Sequence, residues 1–198
     1  TRSLSSAASD VYKRQKLAKQ KKVSGIVTLP IIKKTLIENG FNYPGHTEYL
    51  GKVSKKKPLM IMLNQKLKVA TLTTHIPISQ ITKKVTKKNL ENTIQIYINS
   101  LTKDFGIINP KIAVSALNPH SGEEGKIGKE EINIIKPVID KFKKRGKTIY
   151  GPIPADTMFH QDALKNIDAN LCMFHDQALI PIKSVSYTHL TLPTKDSV

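Results

Sequence analysis

Three histidines stand at the ends of runs that read as β-strands, His75 in VATLTTH, His120 in AVSALNPH and His175 in ANLCMFHD. A loop leaving the carboxyl end of a strand in an open α/β sheet is where ligands bind, because such loops converge on one crevice. Separations of 45 and 55 residues mean that only the fold can bring the three rings together. Three neutral imidazoles with a free coordination position suit a divalent cation such as zinc, which takes nitrogen donors and leaves room for a substrate. Each histidine taken singly also fits a hydrogen-bonded loop residue, and spacing alone leaves both readings open.

The elements that must position these rings alternate between β-rich apolar runs and amphipathic stretches. Val23–Leu29 reads as a buried strand, and after Pro30 a short helix through Ile31, Leu36 and Ile37 stops near Gly40. Leu59–Leu63 and Lys68–Thr73 read as two more strands. Thr86 is placed to cap a helix whose apolar residues Leu90, Ile94, Ile96, Tyr97 and Leu101 recur at helical spacing and which Gly106 ends. Lys111–Leu117 is the clearest strand. From Lys129 the residues EEINIIKPVIDKFKKRG place acids in the first turn and bases in the last, as a helix dipole favours, with Pro137 expected to perturb the helix and Gly146 to stop it. Thr148–Tyr150 then reads as a strand, His160–Asn166 as a short helix with His160 exposed, and Ala169–Phe174 as a last strand. Such alternation predicts an α/β fold, a mostly parallel sheet flanked by helices in α/β/α layers.

Composition narrows the function classes. The 198 residues are 39% hydrophobic and 24% charged, contain no run of eighteen apolar residues, and begin without the apolar stretch of a secretory signal; a cytoplasmic protein that does not enter a membrane is expected. The single cysteine, Cys172, lies in an apolar run and reads as a small buried hydrophobe. A net charge of +17 suggests a polyanion partner. All but three of the basic residues are lysines, however, and they are spread over turns and helix faces with no interleaved aromatics. The charge is therefore read as solvated surface, with no nucleic-acid partner, and as a field that attracts phosphorylated substrates. Residues 1–15 (TRSLSSAASDVYKRQ) and 184–198 (SVSYTHLTLPTKDSV) do not share the patterning of the middle. They read as extraneous segments around a truncated core at 16–183, a chain expected to be poorly stable and inactive by itself.

Five strings carry a resemblance: GHTEYLG (45–51), TTHIP (73–77), LNPHSGEEGKIGKEE (117–131), GPIPADTMF (151–159) and MFHDQALIPIK (173–183). In this order and near this spacing they are similar to motifs of the 4-hydroxythreonine-4-phosphate dehydrogenases. That resemblance implies a fold like the isocitrate and isopropylmalate dehydrogenases and a homodimer with the active site at its interface. The implied reaction uses NAD or NADP and a divalent cation (zinc, magnesium or cobalt). It oxidises 4-phosphooxy-threonine to a β-keto acid that decarboxylates to 3-amino-2-oxopropyl phosphate, a step of pyridoxine 5'-phosphate biosynthesis. It further implies His75, His120 and His175 as metal ligands, at least one of them reaching across from a partner subunit. His46, Thr47 and Lys183 correspond to substrate contacts and Asp156 to an active-site carboxylate. His46, Asp156 and Asp176 are the candidate proton acceptors, Asp176 also fitting an orienting role beside a metal-bound histidine.

No G-x-G-x-x-G follows a strand, and the loop holding Gly122, Gly125 and Gly128 suits either an anion or a plain surface turn, so cofactor-binding residues stay unassigned. Three rivals are kept. A sister dehydrogenase of threonate or erythronate 4-phosphate would share the histidines, a basic nucleic-acid binder would not need them, and a structural metal module would lack turnover.

Overall fold

The computed structural model describes residues 57–186 continuously, together with Leu17, Gln20, Lys22, Val23, Gly51, Lys52 and Ser54. The chain divides into two compact units, residues 1–58 and 59–198. In the first, the Lys22 amide donates to the Leu17 carbonyl (2.9 Å) and the Ser54 hydroxyl to the Gly51 carbonyl (3.2 Å). The strand expected over Val23–Leu29 (Val23 apart), the helix through Ile31, Leu36 and Ile37, and both His46 and Thr47 lie outside the described residues.

The second unit is built on a five-stranded sheet: β1 (Ile61–Leu63), β2 (Lys68–Thr71), β3 (Ile112–Ser115), β4 (Ile149–Ile153) and β5 (Ala169–Cys172), in the order β1-β2-β5-β3-β4. β1 runs antiparallel to β2, joined by a turn in which Asn64 Oδ1 accepts from the Lys66 and Leu67 amides (2.8 and 2.7 Å). All other pairings are parallel, Val69 lying beside Asn170 and Ile112 beside both Ala169 and Ile149. Every residue of β3 and β5 is buried, which is what central parallel strands covered on two faces require. Among the described residues β4 pairs with β3 alone, and such an edge position accommodates Pro152 within the strand. The strand expected to end at Tyr150 therefore runs on through Gly151 and Pro152 to Ile153, which pairs with Ser115.

Helices cover both faces. They are α1 (Ile81–Lys84), α2 (Lys87–Lys103), α3 (Lys136–Lys144), α4 (Gln161–Leu164) and α5 (His175–Ser186). Thr86 caps α2 as expected, its hydroxyl accepting from the Asn89 amide (3.2 Å). The buried stripe of α2 holds Leu90, Ile94, Tyr97, Ile98 and Leu101; Ile98 takes the place expected of Ile96, because 100° per residue puts 94, 98 and 101 on one side. With Ile135, Ile139 and Phe142 this stripe packs on Ala70, Leu72, Val114, Leu171 and Met173. Each fully buried Leu or Ile there contributes about 1.5–3 kcal/mol. The opposite face, Val69, Ala113 and Cys172, is covered by Ala178 and Ile182 of α5 and by Met158.

Two segments differ from their expected form. The helix expected from Lys129 begins with an α-type bond from the Asn133 amide to the Lys129 carbonyl (2.8 Å), widens into a π turn over Glu131–Ile135 with the Lys136 amide bonded to the Glu131 carbonyl, and is α-helical again from Lys136. Pro137 follows directly on this π turn, which is the perturbation expected of it, because its ring and missing N–H cannot continue the α-helical ladder. The run to Phe174 ends as a strand at Cys172, and the chain turns into α5 at His175. Pro181 inside that helix masks it in the sequence, yet Ala178 and Ile182, one turn apart, bury the face that holds it.

Cys172 is fully buried, and burial pushes its thiol up to about 12, with the Ser115 hydroxyl opposing the shift. A maleimide at neutral pH is therefore expected to leave Cys172 unmodified in the folded chain and to label it only after denaturation. Rapid labelling of the native chain, read by mass, would contradict the packing of β5.

Candidate functional site

β2, β5, β3 and β4 are parallel neighbours, so all four release the chain at one edge of the sheet. Past their ends come, in the same spatial order, His75, His175, His120 and Asp156. Side chains tie the exits together. Thr73 Oγ1 donates to the Met173 carbonyl (2.9 Å), joining the exits of β2 and β5. Gln177 joins β5 to β3: its Oε1 accepts from the Met173 amide (2.9 Å) and the Ser115 hydroxyl (3.2 Å), and its Nε2 donates to the Ala116 carbonyl (2.9 Å).

These ties set His75 and His175 side by side, ring centroids 5.3 Å apart and ring planes inclined at 51°. Asp176 Oδ1 lies 2.7 Å from His175 Nδ1. A carboxylate there favours the tautomer with its proton on Nδ1, leaving Nε2 as the donor, the arrangement by which carboxylates orient metal-binding histidines. The two rings line a cleft of about 120 Å³ with Thr74, Ile76 and Phe174. Two imidazoles at this separation can share one cation, since each Zn–N bond spans about 2.0–2.1 Å.

The other candidates stand apart. Among the described residues no group of three or more His, Cys, Asp or Glu side chains is gathered closely enough to hold a metal ion. His120 is exposed and faces a separate groove of about 570 Å³, shared with Ser121, Glu124, Lys126 and Lys136. Asp156 is exposed in a turn whose Pro154 carbonyl accepts from the amides of Thr157 (3.2 Å) and Met158 (3.1 Å). Lys183 is exposed on α5, eight residues beyond His175 and so roughly 12 Å along the helix axis from it. His160 is exposed at the start of α4.

The loop with Gly122, Gly125 and Gly128 has an unusual backbone at its start. His120 to Glu124 take left-handed backbone angles throughout, with φ of 49°, 53°, 80°, 44° and 56°. Sequence reasoning passed over the residues that brace this edge, Thr73, Ser115, Asn118, Glu131 and Gln177. One signal was present: Glu131 falls four residues before Ile135 and eight before Ile139, on the face that packs against the sheet.

With this geometry in place, comparison with known proteins gives consistent matches. Residues 5–191 match the family described as pyridoxal phosphate biosynthetic protein PdxA. A 4-hydroxythreonine-4-phosphate dehydrogenase of Caulobacter vibrioides is 42% identical over 172 residues, 83% of this chain and 52% of that protein. The enzyme of the same name from Paracoccus denitrificans is 42% identical over 177 residues, covering 86% and 55%. A crystal structure of 4-hydroxythreonine-4-phosphate dehydrogenase from Klebsiella pneumoniae superposes with a TM-score of 0.78 at 36% identity, over 87% of this chain and 52% of that one. The chain thus spans about half the length of the relatives it matches.

Proposed function

The chain belongs to the family of the pyridoxal phosphate biosynthetic protein PdxA, and from that premise we propose that it forms the cation- and substrate-binding part of an NAD- or NADP-dependent dehydrogenase acting on 4-hydroxythreonine 4-phosphate. The observation that carries this reading is the pair His75 and His175, 5.3 Å apart at the carboxyl edge of the sheet, with Asp176 on the Nδ1 nitrogen of His175.

In this reading His75 and His175 hold a divalent cation (zinc, magnesium or cobalt), and His120 supplies the third imidazole from the second copy in a homodimer. A partner's His120 accounts for its separation from the other two rings within one chain. Bound there, the cation would supply Lewis acidity, making a coordinated hydroxyl easier to deprotonate and stabilising charge that develops as carboxylate leaves as carbon dioxide. Asp176 fixes the ring of His175, which favours an orienting role and leaves Asp156 and His46 as the proton acceptors. His46, Thr47 and Lys183 contact the substrate, the lysine offering a compact positive charge to its phosphate or carboxylate. The part contributed here is the truncated core at 16–183, within a cytoplasmic enzyme. Among the described residues no helix is long and apolar enough to cross a membrane.

Turnover is the test. A protein carrying this sequence, extended to the length of its relatives, is offered 4-hydroxythreonine 4-phosphate, threonate 4-phosphate and erythronate 4-phosphate with NAD or NADP. Nicotinamide reduction that is fastest with the amino acid and lost on chelation is expected. Preference for a sugar acid would reassign the substrate, and reduction indifferent to chelation would remove the cation from the account.

A further inference from the structure

Five consecutive left-handed residues, four of them not glycine, are costly, because that conformation presses each Cβ against the following carbonyl oxygen. Such a segment persists only where its surroundings over-determine it. Here one carboxylate does so. Glu131, 3% exposed, accepts through Oε1 from the amides of Leu117 and Asn118 (2.8 Å each) and through Oε2 from Asn118 Nδ2 (2.9 Å). Asn118 Nδ2 also donates to Glu130 Oε2 (2.8 Å).

The loop closes tightly over this carboxylate. A Cβ on Gly122 would lie 2.7 Å from both Glu131 Oε2 and the Gly128 carbonyl oxygen, and one on Gly128 would collide with the Asn118 side chain. The Lys126 and Ile127 amides complete it by donating to the Glu123 and Gly122 carbonyls (3.0 and 3.1 Å). A buried charge is a poor way to fill a core, where an apolar residue of like volume often serves stability as well or better. What the carboxylate supplies is direction, because it fixes both the backbone and the side chain of the residue two before His120.

We propose that Glu131 is a positioning residue which, through Leu117 and Asn118, sets the left-handed segment and so presents the His120 ring. The proposal deepens the dehydrogenase reading and rests on it only for the use to which His120 is put. Glu131→Gln keeps the volume and an oxygen for the two amides, but turns an NH2 group towards Asn118 Nδ2, donor against donor. Asn118→Ala removes the side chain through which part of the effect passes.

The experiment follows backbone amide exchange and histidine ring resonances by NMR in the 198-residue chain, and titrates it with cobalt(II) alone. Glu131→Gln is expected to speed exchange at Leu117 and Asn118 about tenfold and to move the His120 ring signals, while amides of β5 and the rings of His75 and His175 stay as they were. The variant carrying both Asn118→Ala and Glu131→Gln is expected to be no worse than either alone, because both break one linkage. Unchanged exchange at Leu117 and Asn118, or additive effects in the double variant, would overturn the proposal. So would faster exchange spread evenly over the sheet, if Glu131→Asp, which keeps the charge, spreads it equally. If the unaltered chain takes up no cobalt, it is the cation reading that fails; the exchange contrast decides the role of Glu131 regardless.

Discussion

Replacing His175 by alanine is expected to weaken cation binding more than any other single change in this chain, by upwards of about 100-fold, since loss of a mere orienting partner already costs roughly 10–100-fold. Two observations support a large and selective effect. The ring lies 5.3 Å from His75, so its removal leaves one imidazole where two could share an ion. Its side chain is 28% exposed and bonds to the exposed Asp176, so truncation leaves that carboxylate in water and not stranded in the core. Stability should change by no more than about 1 kcal/mol. Titration calorimetry with zinc or cobalt, alongside thermal melting, separates the two quantities. Retained affinity would show that the pair is a packing contact.

The largest effect on stability is expected at Gln177→Leu. Its amide meets three groups at the exits of β3 and β5, the Met173 amide, the Ser115 hydroxyl and the Ala116 carbonyl. An apolar replacement leaves them without that partner, and an unsatisfied buried group costs about 1–3 kcal/mol. The Ser115 hydroxyl still lies 3.2 Å from the Met173 amide, which offsets part of the loss. A net cost of about 3 kcal/mol follows, a fall in melting temperature of roughly 6–12 °C for a chain of this size. Gln177→Glu should recover part of it, because an oxygen still faces Met173 and Ser115 while the donor to Ala116 is lost. Melting of Gln177→Leu within a degree of the parent would contradict the bridging role.

How much of this was legible in the sequence depends on the range of the forces involved. β3 and β5 were legible because strands buried on both faces appear as unbroken apolar runs, and the α2 cap because Thr86 acts on the amide three residues on. The edge carrying His75, His120 and His175 was legible too, since each follows such a run directly. The pairing of His75 with His175, with His120 left outside, was not. The strand order β2-β5-β3 puts His175 between the other two exits, and neighbours in a parallel sheet are chosen by packing between distant segments; His120 differs in lying on the left-handed segment that follows β3. α5 was hidden by Pro181, whose local cost is outweighed by Ala178 and Ile182 against the sheet. The left-handed segment was hidden because four of its five residues, His120, Ser121, Glu123 and Glu124, are not glycine. Local preference marks elements, and side chains that act across the sheet decide how their ends meet.

X-ray absorption at the cobalt edge of the chain loaded with one equivalent of cobalt(II) tests the central claim most directly. The account predicts at least two imidazole nitrogens at about 2.0–2.1 Å, taking zinc-like distances, and one fewer in His75→Ala and in His175→Ala. A shell of oxygen atoms alone, identical in the parent and in both variants, would contradict it.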